Sequence, residues 1–464
     1  MGVVLAGLML AMLLGALDQT IMTPALPAVA GALGGLDRMP AVVTAYLVAA
    51  TVVMPVYGKL GDRYGRKPLM QAAIVIFVTG AVLCGLATSM PQFIAFRAIQ
   101  GLGGGGLMIG SQAIIGEIVS PRERGRYLGL FGAAYIVAAV GGPLVGGFFV
   151  DGPGWRWIFA VHPPLGLLAL VLLSVALKLP RPRTRAPLDV AGAVTLGVAV
   201  VGVVMVGESG NPAYLALAAA GAVAWLVSAR FARDPILPPR LFRDRAFAVP
   251  VVISLLIGFA LFGTITYLPA YAQIALDTSA TQAGLLVTAL MGGVLLTAVV
   301  SGRLITRTGA YKPYPVAGTA LAAAGLALMG LAGAGPVVLV LALLLTGLGV
   351  GLVMQVMVLA AQNAVDHADL GTATSSVTFL RQVGASAGVA LVGALITLRT
   401  GLAGASPSSL PEGVRGAFAE AAPPVFAAMA PLLVVAFLLA LALPVRPLRT
   451  TAHVEENQWN SSHP

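Results

Sequence analysis

The sequence predicts an all-α polytopic membrane protein with 14 transmembrane helices, two six-helix bundles plus an inserted two-helix hairpin. Three observations carry that prediction: composition, the spacing of apolar runs, and the placement of basic residues. Of 464 residues, 58% are hydrophobic and only 9% are charged, against about 25% charged in a soluble domain. No soluble core of this size needs so little polar surface, so the solvent for most of the chain is lipid.

A helix needs about 20 apolar residues to cross a bilayer. Runs bounded by turn or charge signals lie at 3–30, 40–57, 69–88, 91–117, 127–150, 158–177, 189–207, 213–229, 247–271, 282–301, 314–333, 336–361, 371–397 and 422–443. The first, from Val3, resembles the core of a secretory leader. It lacks a basic flank and continues through Thr20 and Ile21 into Pro24-Ala25-Leu26-Pro27, so it reads as a first span rather than a cleaved segment. The short stretch before it leaves open a native start further upstream.

The basic residues orient these spans. With the N-terminus in the cytoplasm, inner loops hold Lys59, Arg63, Arg66 and Lys67, then Arg122, Arg124 and Arg126, then Lys178, Arg181, Arg183 and Arg185. They continue with Arg230, Arg233, Arg240, Arg243 and Arg245, then Arg303, Arg307 and Lys312, then Arg446 and Arg449. That is 21 of the 27 Lys and Arg residues; outer loops hold Arg38, Arg156, Arg399 and Arg415, and Arg97 and Arg381 fall inside spans. The positive-inside rule then predicts a multi-pass protein of the plasma (inner) membrane with both termini cytoplasmic. The same bias explains the net charge of +10 without a nucleic-acid partner.

Two echoes suggest duplicated halves. Gly58-Lys59-Leu60-Gly61-Asp62-Arg63-Tyr64-Gly65 shares Gly, Leu, Arg and Gly in register with Gly302-Arg303-Leu304-Ile305-Thr306-Arg307-Thr308-Gly309. Gly101-Leu102-Gly103-Gly104-Gly105 echoes Gly347-Leu348-Gly349-Val350-Gly351 at nearly the same offset. Parallel repeats of this kind are a transporter signature, with substrate bound between the halves. The expected division is 1–178 for the N-terminal bundle and 179–245 for the hairpin with its basic flanks. A C-terminal bundle at 246–443 and a cytoplasmic tail at 444–464 complete it.

Catalytic classes find no support. The single cysteine, Cys84, lies in an apolar run, the four histidines are scattered, and no metal-spaced cluster exists. Gly101 to Gly106 lacks the Lys-Ser or Lys-Thr of a phosphate loop. No cofactor, metal or enzymatic activity is expected.

Four motifs, in order, carry a family resemblance. They are Leu17-Asp18-Gln19-Thr20-Ile21 with Ala25-Leu26-Pro27, the stretch 58–69, Arg97-Ala98-Ile99-Gln100-Gly101-Leu102-Gly103, and Gly142-Pro143 followed by Gly146-Gly147. The chain resembles a major facilitator superfamily transporter of the fourteen-span drug:proton antiporter family. The resemblance implies the major facilitator fold and proton-coupled export of hydrophobic or cationic drugs by alternating access. The expected partners are that small-molecule substrate, protons and the lipid bilayer, with the protein acting as a monomer. The competing readings are a dedicated exporter of one metabolite, antibiotic or lipid, an importer, and a non-transporting receptor.

Asp18 is the only acid deep in an early span. A mid-membrane charge costs about 2.5–3.5 kcal/mol on insertion scales, so such a residue normally faces a cavity or a partner. The resemblance implies proton coupling or substrate binding by Asp18, with Arg97 and Gln100 beside it. The alternatives are a structural aspartate partnered by Thr20 and an arginine held in an ion pair or on neighbouring carbonyls. Gly142, Pro143, Gly146 and Gly147 either form the seal of an antiporter motif or pack as ordinary small residues. Arg381, flanked by Thr378, Gln382 and Ser386, either lines a cavity or anchors its span. Gln112, Gln355, Gln362 and Asn363 are further polar candidates. Met22, Met54, Met291, Met354 and Met357 are expected to supply an adaptable apolar lining.

The stretch 58–67 sits in water between spans two and three. Its basic residues set topology, but Asp62 and the glycines at 58 and 65 need a further reason. By resemblance, Asp62 faces the start of span thirteen near Gly371 and Thr372, and Arg66 pairs with Glu117. Gly58, Asp62, Gly65, Arg66 and Glu117 would then form an inner gate. The echo carries Thr306 in place of Asp62, so the gate is expected to be lopsided.

Overall fold

The computed structural model describes residues 2–35, 38–179, 188–209, 211, 213–278, 280–331, 335–400 and 412–448. Arg181, Arg183, Arg185, Arg449, His453 and His463 lie outside the described residues.

Long apolar runs fold as helices because lipid offers no partner for backbone N–H and C=O groups. In chain order they are α1 (Gly2–Leu33), α2 (Met39–Tyr64), α3 (Arg66–Leu86), α4 (Met90–Ile118), α5 (Pro121–Asp151), the single turn α6 (Trp157–Ala160) and α7 (His162–Ala176). The hairpin is α8 (Val190–Ser209) and α9 (Ala213–Phe231), followed by the single turn α10 (Pro239–Phe242). The second set is α11 (Arg245–Ala275), α12 (Ala280–Thr308), α13 (Pro313–Met329), α14 (Pro336–Asn363), α15 (Leu370–Thr400), α16 (Glu412–Ala427) and α17 (Ala430–Leu441).

Among the described residues, 13 stretches are long and apolar enough to cross a membrane. The fourteenth predicted span is α13, a shorter apolar helix of 17 residues that packs with α14 and α17. Two predicted spans are built of two helices each. The run 158–177 is α6 and α7, joined at Val161. The last run starts earlier, at Glu412, and breaks between Ala427 and Ala430. Pro431 supplies no backbone N–H there, so the old ladder stops and a new helix begins.

The halves are legible in the packing. Helices α1 to α7 form one bundle through α1–α5, α2–α4, α3–α4 and α1–α7 contacts; α11 to α17 form the other through α11–α15, α12–α14 and α13–α17. The bundles meet along α5–α12 and α2–α15, while α8 packs on α9 and reaches α2 and α15. The hairpin is therefore tied to both halves. An ion pair from Lys59 to Asp234 fastens its exit, and Arg240 grips Asp369 at 2.8 Å.

Side-chain-free faces set the helix spacing. A Cβ on Gly101 would lie 2.4 Å from the Tyr46 carbonyl oxygen, and one on Gly103 would lie 2.4 Å from the Phe77 nitrogen. The glycine run of α4 is thus a narrow packing face toward α2 and α3. The repeat has a matching geometry. A Cβ on Gly302 of α12 would lie 2.3 Å from the Gly125 carbonyl oxygen of α5. One on Gly58 of α2 would lie 2.6 Å from the Gly371 carbonyl oxygen of α15. Both contacts sit at the end of the bundles that carries the basic loops, and both press one half against the other.

Candidate functional site: a buried charge cluster, a basic-end latch and a central cavity

Asp18 stands sixteen residues into α1, about 24 Å along its axis, and is completely buried. Arg97 and Gln100 lie three residues apart on α4 and so share one face. Arg97 Nη1 donates to Asp18 Oδ2 at 2.8 Å and to Gln100 Oε1 at 2.8 Å. Gln100 Nε2 donates to Asp18 Oδ1 at 2.9 Å. The Arg97 guanidinium lies 4.4 Å from the centre of the Tyr46 ring. Thr20 is not Asp18's partner: its hydroxyl donates at 2.8 Å to the Ala138 carbonyl of α5.

One member of this cluster escaped the sequence reading. His162, at the head of α7, is fully buried with Nε2 3.5 Å from Asp18 Oδ1. Its ring stacks on Phe159 and tilts against Phe77. The available signal was a lone histidine opening an apolar span at Val161-His162-Pro163.

The second constellation sits at the basic end. Asp62 Oδ1 accepts the Gly371 N–H at 2.7 Å, and Oδ2 accepts the Thr372 N–H at 2.7 Å and its hydroxyl at 3.0 Å. A carboxylate here satisfies donors at the first turn of α15 and meets the positive end of its dipole. Arg66 bridges Asp62 at 2.7 Å and Glu117 at 2.9 Å, and His367 Nε2 lies 3.7 Å from Glu117. Gly65 ends α2 with φ +95°, a conformation that favours glycine, and so turns the chain directly into α3. At the second-half copy of the motif, Arg122 of α5 donates to the Thr306 and Arg307 carbonyls of α12 at 3.2 and 3.0 Å. That contact has no carboxylate, so the two sides of the repeat differ as Thr306 suggested.

Between the bundles lies a narrow cavity of about 60 Å³. Gln19, Gln112, Tyr135, Gln355, Arg381 and Gln382 supply its polar lining. Among the expected methionines, Met291 and Met354 face it, joined by Met12 and Met108. Met22, Met54 and Met357 pack instead into separate buried clusters. Their helices are apolar all round, so nothing in the local sequence distinguishes a cavity face from a packing face. Gln362 and Asn363 act as glue: Gln362 donates to Thr374 at 2.8 Å and to the Gln112 carbonyl at 3.3 Å, while Asn363 holds the Arg446 carbonyl.

Residues 8–389 match the family described as Major Facilitator Superfamily. The chain belongs to the major facilitator superfamily. An uncharacterized MFS-type transporter of Mycobacterium tuberculosis is 37% identical over 96% of this chain and 70% of its own length. The multidrug transporter protein MdtP of Bacillus subtilis is 34% identical over 86% of this chain and 75% of its own length. Two solved structures share the fold. The human organic anion transporter MFSD10 superposes with a TM-score of 0.68 at 18% identity, covering 94% of this chain and 99% of its own. The proton:xylose symporter XylE gives 0.68 at 17% identity, covering 98% of each chain.

In this superfamily transporter the glycines of α5 divide into two kinds. A Cβ on Gly142 would lie 2.0 Å from Thr20 Oγ1, and one on Gly146 would lie 2.5 Å from the Ile21 carbonyl oxygen. Gly141 and Gly147 meet nothing within 4 Å. Pro143 sits between the two contact glycines inside α5, where it withholds one backbone donor. The motif therefore presses α5 onto α1 within the first bundle, next to Asp18. Gly146→Ala should lower transport and thermal stability, whereas Gly147→Ala should leave both near wild type. Equal behaviour of the two variants in reconstituted transport and melting would remove the α1–α5 contact from the explanation of the motif.

Proposed function

We propose that this major facilitator transporter exports hydrophobic small molecules across the plasma membrane in exchange for protons, with both termini in the cytoplasm. The observation that carries the proposal is the buried Asp18–Arg97–Gln100 cluster with His162 beside it. A carboxylate can hold a proton in one environment and surrender it in another, because burial favours its neutral form and a nearby cation its charged form. In this conformation Arg97 faces the carboxylate directly, at 2.8 Å. Protonation would cancel the Asp18 charge, loosen α4 from α1, and so bias the arrangement of the bundles.

The division at 1–178, 179–245 and 246–443 fits this cycle: two bundles rock, and the hairpin accompanies them. Asp62, Arg66 and Glu117, with Gly58 and Gly65, act as the cytoplasmic latch. The α5 glycines and Pro143 keep α1 and α5 together as the bundles move. The small central cavity supports alternation rather than a standing pore. A drug-sized ligand needs about 300 Å³ or more, so substrate entry requires the bundles to separate. The names of relatives such as the multidrug transporter MdtP favour export over import.

The test is a reconstituted assay. Proteoliposomes carrying the full chain and a trapped pH indicator should show movement of Nile red, an uncharged apolar dye, and opposite proton movement that rise together with an imposed pH gradient. Dye flux indifferent to that gradient, with no proton signal, would remove the antiport reading.

A further inference from the structure

The cavity between the bundles carries a buried positive charge that no carboxylate among the described residues balances. Arg381 of α15 is 7% exposed and lines the cavity, and its Nη1 has no hydrogen-bond partner. No described aspartate or glutamate lines the cavity, and no described carboxylate forms an ion pair with Arg381. Asp18, the obvious candidate, is engaged by Arg97 and Gln100 inside the first bundle.

A buried charge without a counter-charge is destabilising, and a guanidinium cannot escape by losing its proton. Its backbone is also held firmly. A Cβ on Gly258 of α11 would lie 2.1 Å from the Arg381 carbonyl oxygen, and one on Gly384 would lie 2.2 Å from that of Leu255. The cation is thus mounted on a tightly packed helix pair, the kind of rigid element on which binding groups keep their aim. Around it stand Gln112 and Gln355, each with a buried amide oxygen lacking a partner, and Gln382. Met291 and Met354 complete the wall. Amide groups can reverse to offer N–H to an anion, and methionines adapt to an apolar body of variable shape.

We infer that the central site takes monoanionic amphiphiles, molecules with one carboxylate or sulfonate on an apolar body, and that Arg381 is the residue that selects the sign of charge. The inference rests on the export reading for its site but extends it to a substrate class. It also departs from the cationic substrates that the family resemblance implied. A guanidinium and a carboxylate or sulfonate form paired, charge-assisted hydrogen bonds, while a cation entering here would meet repulsion and no acceptor carboxylate.

The experiment is equilibrium binding to the purified full-length chain in nanodiscs of uncharged lipid, with no pH gradient. The probes are tritiated taurocholate, an apolar body bearing a sulfonate, and tritiated tetraphenylphosphonium. Wild type should retain taurocholate in preference to the cation. Arg381→Gln should weaken taurocholate binding about 10- to 100-fold and narrow or reverse the preference. Arg381→Lys, which keeps the charge but loses the fork, should fall between them. Displacement by added phosphatidylglycerol would identify a lipid headgroup as the natural anion, and its absence would identify a soluble amphiphile; either supports the anion site. Taurocholate binding that is absent from wild type, or equal in wild type and Arg381→Gln, overturns the inference. Because no gradient is applied, failure here leaves the proton-antiport reading intact, and failure of antiport leaves charge selection measurable.

Discussion

Asp18→Asn will eliminate proton-coupled transport while leaving a protein that still inserts and folds. Asparagine nearly matches aspartate in shape and keeps one oxygen to accept from Arg97 or Gln100, but it carries no titrating proton. If Asp18 is the group that alternates between charged and neutral forms, proton movement should fall to background and any remaining substrate flux should ignore the pH gradient. The substitution also strands Arg97, whose carboxylate partner lies 2.8 Å away. Breaking a buried ion pair by removing one member costs about 3–5 kcal/mol, so a lower melting temperature is expected as well. The double variant Asp18→Asn with Arg97→Gln removes both charges. It should regain much of the stability and none of the coupling. Recovery of proton movement in the double variant, or its persistence in Asp18→Asn, would show that the cluster is structural.

Asp62→Asn will shift the protein away from the conformation closed at its basic end. The carboxylate accepts three hydrogen bonds from Gly371 and Thr372 and one from Arg66. Asparagine offers one acceptor oxygen and no charge toward the α15 N-terminus. Hydrogen bonds involving charged groups contribute about 1.5–3 kcal/mol, so the closed state should lose at least tenfold in relative population. Spin labels at the exposed positions Arg126 and Arg303 flank the Gly125–Gly302 contact, and buried Cys84 is the only native thiol. The distance distribution between the labels should gain a longer component in Asp62→Asn. Gly58→Val should do the same by a steric route, since its Cβ would fall 2.2 Å from Ser375 Oγ. Unchanged distributions in both variants would mean that the latch does not set the conformational balance.

Much of this architecture was legible because membrane proteins write topology in coarse characters. Apolar length located the helices, and basic loops marked one end. The Asp62 motif drew attention by setting a carboxylate among glycines, but its partners came from the family resemblance. Asp18 and Arg97 could each be singled out by the cost of a charge in lipid. Their pairing came only from the family resemblance, because they are 79 residues apart on different helices and no local pattern records which faces meet. His162 was overlooked for the same reason. Met22, Met54 and Met357 were misassigned for a different one: a helix surrounded by lipid and protein is apolar on every side, so periodicity loses its power to point inward. The glycine motif of α5 could be read only as a group, since tertiary packing alone separates Gly142 and Gly146 from Gly141 and Gly147.

The paired contacts Gly58–Gly371 and Gly125–Gly302 have a kinetic consequence. At both points a backbone carbonyl closely approaches a glycine of the facing helix, with the short Ser375 side chain and the Asp62 carboxylate beside the first contact and Ile305 beside the second. Parting such surfaces draws few long side chains out from between the helices. The affinity of the two halves is then concentrated in a few polar bonds, while the apposed surfaces themselves are smooth. A joint built this way can be firm at equilibrium and still quick to separate, as repeated turnover demands.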